Sequence, residues 1–407
     1  MRDRMKILAT GMEWHEHIPG GLNQYFADYL RAMVEQGHSV EGLISGEGRP
    51  LGAPPYVRDI AEAVPALTTM KRVRSFYRGV MNRSRVSEPD VFNPHFALYA
   101  AMVGRNSLPG HVPIVTHFHG PWSLESLVEE QGRSLSKLLK LRMKRRLEQS
   151  IYRRSDSFIV LSDYFRDVLS KEFGVSGSRI HVIPGAVDTE RFKPAANRGS
   201  LRAQLGIRPG ERLLVCARRL VRRMGIDHLI RAMVRLSQET PSIRLGIIGD
   251  GPLRGELQEL IESLGLQGNV RLLGRVGTEE LVSWYQAADL AIVPTVTLEG
   301  FGLVTAEALA CGTPVLGTPY GGTKEILQKL SAELLFADGS PEAIARKVAA
   351  VLNGTERAPQ RDACREHVLR HYTWDKIAVR IAGAFGEAIE SRKECRTYES
   401  GFKSSLL

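Results

Sequence analysis

Apolar residues recur along this chain in two alternating rhythms. Short, largely apolar runs at residues 5–10, 157–161, 212–217, 243–249, 270–273 and 290–293 lack the length of a helix and predict strands covered on both faces. Between them the spacing becomes that of amphipathic helices, at 22–35, from 226, near 253–264, at 279–286 and finally at 377–389. Strand and helix alternate in both halves, so the pattern predicts an α/β protein of two parallel-sheet domains facing across a cleft. The boundary between them falls in Val182 to Pro194, where Pro184, Gly185 and Pro194 interrupt the rhythm. This gives domains at 1–185 and 186–375, with a last helix at 376–391 and a polar, frayed end beyond Ser391. No short repeat or low-complexity segment interrupts the pattern.

Two other apolar runs end in polar residues: Asp90-Val91-Phe92-Asn93-Pro94-His95 and Pro113-Ile114-Val115-Thr116-His117-Phe118-His119-Gly120. In an open parallel sheet ligands sit beyond the carboxyl ends of strands, so these histidines point toward a crevice. A lone histidine is ordinarily structural, and His95 and His117 read that way on their own. Ahead of the helix that begins at Leu22, the loop from Gly11 carries Gly20-Gly21, a pair that permits close backbone approach to a ligand but does not make a GxGxxG fingerprint.

The richest stretch runs from Pro294 to Ile326, PTVTLEGFGLVTAEALACGTPVLGTPYGGTKEI. A strand ends at Pro294, a loop carries Glu299 and Gly300-Phe301-Gly302, and a helix starts near Leu303 and stops before Gly312. A glycine loop feeding a helix leaves the amides of Leu303, Val304 and Thr305 open at the positive end of the helix dipole, where an anion fits. Glu299 lies before that helix start and Glu307 about one turn inside it. One nucleotide sugar spans all three features, with its sugar hydroxyls at Glu299, its diphosphate on the amides and its ribose hydroxyls at Glu307. The arginines of Arg219-Leu220-Val221-Arg222-Arg223-Met224 follow a strand and precede a helix, which places their charge at the same end of the sheet.

Composition adds bounds rather than chemistry. The 407 residues suit two domains, and 43% hydrophobic with 25% charged residues describes a globular chain. No stretch approaches a membrane span, the start lacks the apolar core of a secretory leader, and four scattered cysteines form neither a CxxC nor a zinc spacing. A cytoplasmic protein is expected. The formal net charge of +10 favours acidic partners. Two basic helical stretches, 69–86 and 135–154, point to peripheral contact with an anionic membrane, the first as an amphipathic helix or a basic lid. No nucleic-acid motif accompanies them.

The Glu-x7-Glu spacing, with Gly-Phe-Gly-Leu between the acids and Ala-Cys-Gly-Thr-Pro-Val after them, resembles the signature of family 4 of the retaining glycosyltransferases. The resemblance implies a GT-B fold of two Rossmann-like domains, with the C-terminal helix returning to the first. It implies a hexosyltransferase that retains configuration, uses a UDP- or GDP-type sugar and acts on a glycan, lipid-linked or small-molecule acceptor. It places Glu299 at the donor sugar, Glu307 on the ribose, His119 (in a His-Gly pair) at the donor sugar and a glycine pair at Gly20-Gly21. It also places an arginine at Arg219 and a lysine five residues later, where this chain has Met224; Arg222 or Arg223 is left as the replacement. No Asp-x-Asp motif is present, so arginine and helix amides are expected to neutralise the diphosphate without a metal or other cofactor. A catalytically silent sugar-nucleotide or glycan-binding protein is the alternative, against which Glu299, Glu307, Arg219 and His119 all stand intact. A nicotinamide oxidoreductase lacks its fingerprint here.

Overall fold

The computed structural model describes residues 4–18, 20–45, 52–60, 69–129 and 135–404. Its first strand, β1 (Lys6–Thr10), leads through a loop into α1 (Gly21–Glu35), then β2 (Ser39–Ile44), β3 (Val57–Asp59), α2 (Thr69–Val86) and β4 (Val91–Pro94). Next come β5 (Val115–Phe118), α3 (Trp122–Glu129), α4 (Leu135–Arg154), β6 (Ser157–Val160), α5 (Asp163–Phe173) and β7 (Ile180–Val182). The strands pair in parallel in the orders β3-β2-β1-β4 and β5-β6-β7, and a bridge between Phe92 and Ile114 connects the two sets. Val91, Phe92, Val115, Phe158, Ile159 and Val160 are fully buried, as strands covered by helices on both faces require. The α5 helix carries legible end signals: Ser162 accepts the amide of Phe165 at 3.1 Å, and Gly174 closes it with φ 69°.

A second set follows: α6 (Arg198–Gln204), β8 (Arg212–Ala217), α7 (Ile226–Glu239), β9 (Ile243–Ile248), α8 (Arg254–Ser263) and β10 (Val270–Gly274). It continues through α9 (Thr278–Ala287), β11 (Leu290–Val293), α10 (Leu303–Ala310), β12 (Val315–Gly317), α11 (Gly321–Leu330), α12 (Pro341–Leu352) and α13 (Arg361–His371). Its five strands are all parallel, in the order β10-β9-β8-β11-β12. The last helix, α14 (Trp374–Ser404), packs on α1, and Arg380 donates to the carbonyl of Val182 at 2.8 Å.

The chain divides into two units, one of Met1–Ser126, Gly132–Gly185 and Trp374–Leu407, the other of Ala186–Thr373 with Leu127–Gln131. Three features depart from the sequence expectation. The final helix belongs to the first unit from Trp374 onward rather than from 376. It also runs past Ser391, the expected end of its packed part, to Ser404, and Arg392 there bonds Gly110 (3.0 Å) and lies 3.7 Å from Asp156. Third, α2 is no lid: Val73, Phe76 and Val80 face the core of the first unit, and Arg72 bonds Glu13 at 2.7 Å and the Tyr99 hydroxyl at 3.2 Å.

Candidate functional site

In the second unit the strand order reverses at β8, with β9 on one side and β11 on the other, which is where an open parallel sheet has its ligand crevice. The loops leaving β8 and β11 meet there, the Val296 amide donating to the Arg223 carbonyl at 2.9 Å. Arg218 is the first residue past β8 and Thr295 the second past β11. The β8 loop can approach only because its neighbours are glycines. A methyl group on Gly249 would lie 2.0 Å from the Arg218 carbonyl oxygen, and one on Gly251 would lie 2.4 Å from that of Leu220.

Glu299 sits in this crevice and is 5% exposed. The residue before it, Leu298, has φ 53°, the one positive φ outside glycine among the described residues, and so carries local strain. Two contacts hold the strained loop: the Arg223 guanidinium donates to the Leu298 carbonyl at 3.0 Å, and the Gly322 amide donates to the Glu299 carbonyl at 3.0 Å. A side chain at 322 would come within 2.5 Å of Phe301, so Gly321-Gly322 is what lets the start of α11 underlie the acid. The Arg218 guanidinium donates to one carboxylate oxygen of Glu299, Oε1, and to the Thr295 hydroxyl. That hydroxyl lies 3.8 Å from the Met224 sulfur. The other carboxylate oxygen, Oε2, and Nε of Arg218 are buried without a partner. Both atoms keep hydrogen-bonding capacity that the protein itself does not fill.

Gly302, with φ 85°, turns the chain into α10, where a side chain would strike the Thr323 hydroxyl. The amides of Leu303 and Val304 have no acceptor among the described residues. That of Thr305 bonds the Gly302 carbonyl at 2.9 Å, so the open set is two amides rather than the expected three. Glu307 is buried inside α10, its Oε2 3.5 Å from the Tyr285 hydroxyl. Arg219 is exposed beside Arg218. Arg222 and Arg223 are placed otherwise than expected. Arg222 pairs with Glu256 at 3.1 Å, and Arg223 pairs with Glu129 at 3.6 Å while holding Leu298, so neither stands beside Met224 as a spare cation.

In the first unit, His95, His117 and His119 stack at the carboxyl ends of β4 and β5, with His95 and His117 centroids 4.1 Å apart. The Asn93 amide nitrogen donates to the Val115 carbonyl, which turns its oxygen toward the rings. That oxygen can only accept, so His95 donates through Nε2 (2.9 Å) and His117 through Nδ1 (3.1 Å). In a neutral ring the other nitrogen of His95, Nδ1, then accepts from His119 Nε2 at 3.1 Å, which leaves Nδ1 of His119 an acceptor. Burial pushes all three rings below the usual histidine range, His119 to about 3, with mutual repulsion adding to the effect at His95 and His117. Gly20 precedes α1 and Gly21 begins it, both exposed. Among the described residues no group of three or more His, Cys, Asp or Glu is placed to hold a metal ion.

The structure therefore gathers Glu299, Gly302, Leu303, Val304 and Arg223 around one crevice, with Arg219 at its edge and Glu307 buried behind, and places His119, Gly20 and Gly21 in the other unit. Arg218, Thr295, Gly322 and Asn93 were not singled out by sequence. The adjacency of Arg218 to a strand end was a usable signal, while the role of Asn93 has none.

Residues 19–191 match the family described as "Glycosyltransferase Family 4", and residues 197–368 match "Glycosyl transferases group 1". The chain is 30% identical over 328 residues, 74% of each chain, to a D-inositol 3-phosphate glycosyltransferase of Nocardiopsis dassonvillei. It is 34% identical over 238 residues to a GDP-mannose-dependent alpha-(1-6)-phosphatidylinositol monomannoside mannosyltransferase of Mycobacterium tuberculosis, covering 56% of this chain and 61% of that one. Sucrose-phosphate synthase from Thermosynechococcus elongatus superposes with a TM-score of 0.78 at 22% identity, over 95% of this chain and all of that one.

The histidine stack predicts a definite acid response. The rings are neutral when folded, whereas unfolded histidines take up protons near pH 6.5. The unfolded state thus binds more protons as pH falls below about 6.5, and stability falls with it, by up to about 1.4 kcal/mol per pH unit for each histidine, until the folded rings titrate. Urea unfolding between pH 4.5 and 7.5, followed by circular dichroism, should show this slope, and His117→Gln should reduce it by about one proton. A slope unchanged in that variant would contradict the neutral assignment.

Proposed function

This chain belongs to glycosyltransferase family 4, in the GT-B fold class, and from that premise we propose that it moves a hexose from a nucleoside diphosphate sugar to an acceptor hydroxyl with retention of configuration. The observation that carries the reading is the buried Glu299 carboxylate with one oxygen open, beside the two open amides at the start of α10. The amides of Leu303 and Val304 and the exposed Arg219 receive the diphosphate, and Glu307 accepts from the ribose hydroxyls. Oε2 of Glu299 accepts from a hydroxyl of the donor sugar, and His119 offers Nδ1 to a sugar hydroxyl as a neutral acceptor. As the sugar–phosphate bond lengthens, negative charge grows on the leaving diphosphate, where the helix end and arginine stabilise it most. The acceptor hydroxyl attacks on the face the diphosphate leaves, and its proton passes to a phosphate oxygen. Arginine and amides supply the neutralisation, so the reaction proceeds without a metal. Gly20 and Gly21 give close backbone approach to a ligand at the start of α1.

The relative from Mycobacterium is named for GDP-mannose and a phosphatidylinositol mannoside, and that from Nocardiopsis for inositol 3-phosphate. We infer a GDP- or UDP-type donor and an acceptor of the polyol-phosphate class, free or lipid-linked, which also suits the net charge of +10.

Contact with an anionic membrane is assigned to α4. Leu135, Leu138, Leu139 and Met143 are exposed and, with Arg142 and Arg146, fall at helical spacing on one stripe. In α2 the corresponding apolar positions face the core. An exposed apolar stripe carrying arginines matches a surface of anionic headgroups. The protein is then peripheral on a cytoplasmic membrane face; no described helix is long and apolar enough to cross one.

Four outcomes test these readings. Glu299→Gln should lower transfer by about two orders of magnitude while GDP or UDP affinity stays within a small factor. Glu307→Ala should instead weaken the nucleotide by about 1.5 to 3 kcal/mol, and calorimetry with GDP and UDP separates the two; wild-type turnover in Glu299→Gln sinks its assignment. EDTA should leave transfer intact, and a strict requirement for added Mg²⁺ or Mn²⁺ refutes the metal-free scheme. In co-flotation with vesicles of anionic lipid, Arg142→Gln with Arg146→Gln should weaken binding by about 1 kcal/mol per charge, and Leu139→Asp with Met143→Asp should weaken it further. Equal binding to neutral vesicles counts against the dock.

A further inference from the structure

A leaving diphosphate and the acid beside it both need fixed positive charge, and the loop after β8 carries four arginines, of which three are already accounted for. Arg219 is exposed, Arg222 is drawn to Glu256, and Arg223 is committed to Leu298 and Glu129. Met224, on the same loop, is buried and uncharged, its sulfur facing the Thr295 hydroxyl. The fourth is Arg218, whose side chain is 9% exposed and which reaches the same hydroxyl from the other side while binding Glu299 Oε1. Its Nε and Glu299 Oε2 are the two atoms of this buried pair left without partners.

We propose that Arg218 is a positioning residue for Glu299, supplying beside that acid the fixed positive charge that neither Arg222 nor Arg223 brings there. By occupying Oε1 it presents only Oε2 to the donor sugar, so the acid meets the ligand in a single orientation. The Thr295 hydroxyl ties Arg218 to Met224, so a cation at 224 would face the guanidinium across one hydroxyl group. The neutral thioether is therefore the partner that allows Arg218 to lie here, and the two positions are interdependent. This rests on the glycosyltransferase reading.

The test uses the full-length protein with GDP and UDP as binding probes and GDP-mannose and UDP-glucose hydrolysis as the turnover readout. Arg218→Met keeps the length of the side chain and removes its charge; kcat should fall about 30- to 100-fold, with GDP or UDP affinity changed less than fivefold. Arg218→Lys should recover part of kcat. Because Arg218 acts through Glu299, the double variant with Glu299→Gln should be no slower than Glu299→Gln alone within about threefold, the non-additivity of two residues that act as one unit. Met224→Lys should impair the wild type yet restore turnover at least threefold in Arg218→Met. Wild-type kcat in a folded Arg218→Met, losses that multiply in the double variant, or Met224→Lys tightening the donor in the wild type would each overturn the proposal. Wild-type protein that binds neither nucleotide and hydrolyses neither sugar would instead remove the glycosyltransferase reading, and this inference with it.

Discussion

Arg218 and Glu299 have both left water, and two charges in that position persist only when they face each other and their remaining polar atoms find partners. The second unit is arranged to meet this condition incompletely. One carboxylate oxygen and one guanidinium nitrogen remain unmet, while everything around them is held by backbone. Gly249 and Gly251 let the β8 loop close on the next strand's loop, Gly322 supplies an amide under Glu299, and Arg223 fixes the carbonyl of the strained Leu298. A carboxylate placed by so many independent contacts has little freedom to collapse onto a second protein partner. The unmet oxygen therefore stays available to a ligand hydroxyl.

The first unit solves the opposite problem. Its polar cluster holds three rings that burial keeps neutral, and the order within it comes from Asn93, whose carbonyl can only accept. One amide orientation propagates through His95 to His119 and decides which nitrogen of each ring carries the proton. Charge organises one site and tautomers the other. Accordingly mild acid acts on the first unit through three rings, while in the second unit burial lowers His367, to about 4.

The alternating rhythm of the sequence made both sheets legible, and Glu299, Gly302 and the start of α10 followed from spacing because a helix end is a local property. What stayed illegible depended on distance in the chain. Strand β3 has only three residues, and β2, Ser39–Ile44, has Glu41 and Gly42 at its middle, so neither shows as an apolar run. The partner of Glu299 lies 81 positions away. Helical periodicity also says that a stripe exists without saying which way it faces: the stripes of α2 and α4 look alike, yet one is core and the other exposed. Arg222 and Arg223 looked like spare cations because their acidic partners, Glu256 and Glu129, are 34 and 94 positions distant.

The same limit applies to the net charge of +10, which by itself suggested acidic partners outside the chain. Several arginines instead complete the carboxyl ends of helices. Arg361 donates to the carbonyls of Gln286, Ala288 and Cys311 and to the Thr313 hydroxyl, and Arg365 to those of Thr189, Phe192 and Ala310. Arg198 and Arg202 share Asp289 and the end of α9. These cations sit where helix carbonyls are unpaired and the dipole is negative, each contact stabilising by about 0.3 to 1 kcal/mol. For α10 the consequence is directional. At its carboxyl end Arg361 and Arg365 fill the Cys311 and Ala310 carbonyls left by the backbone, while the amides of Leu303 and Val304 at the other end have no partner among the described residues. A helix neutralised at its carboxyl end keeps its positive potential at the other, so the arginines of α13 leave the start of α10 the end that favours negative charge.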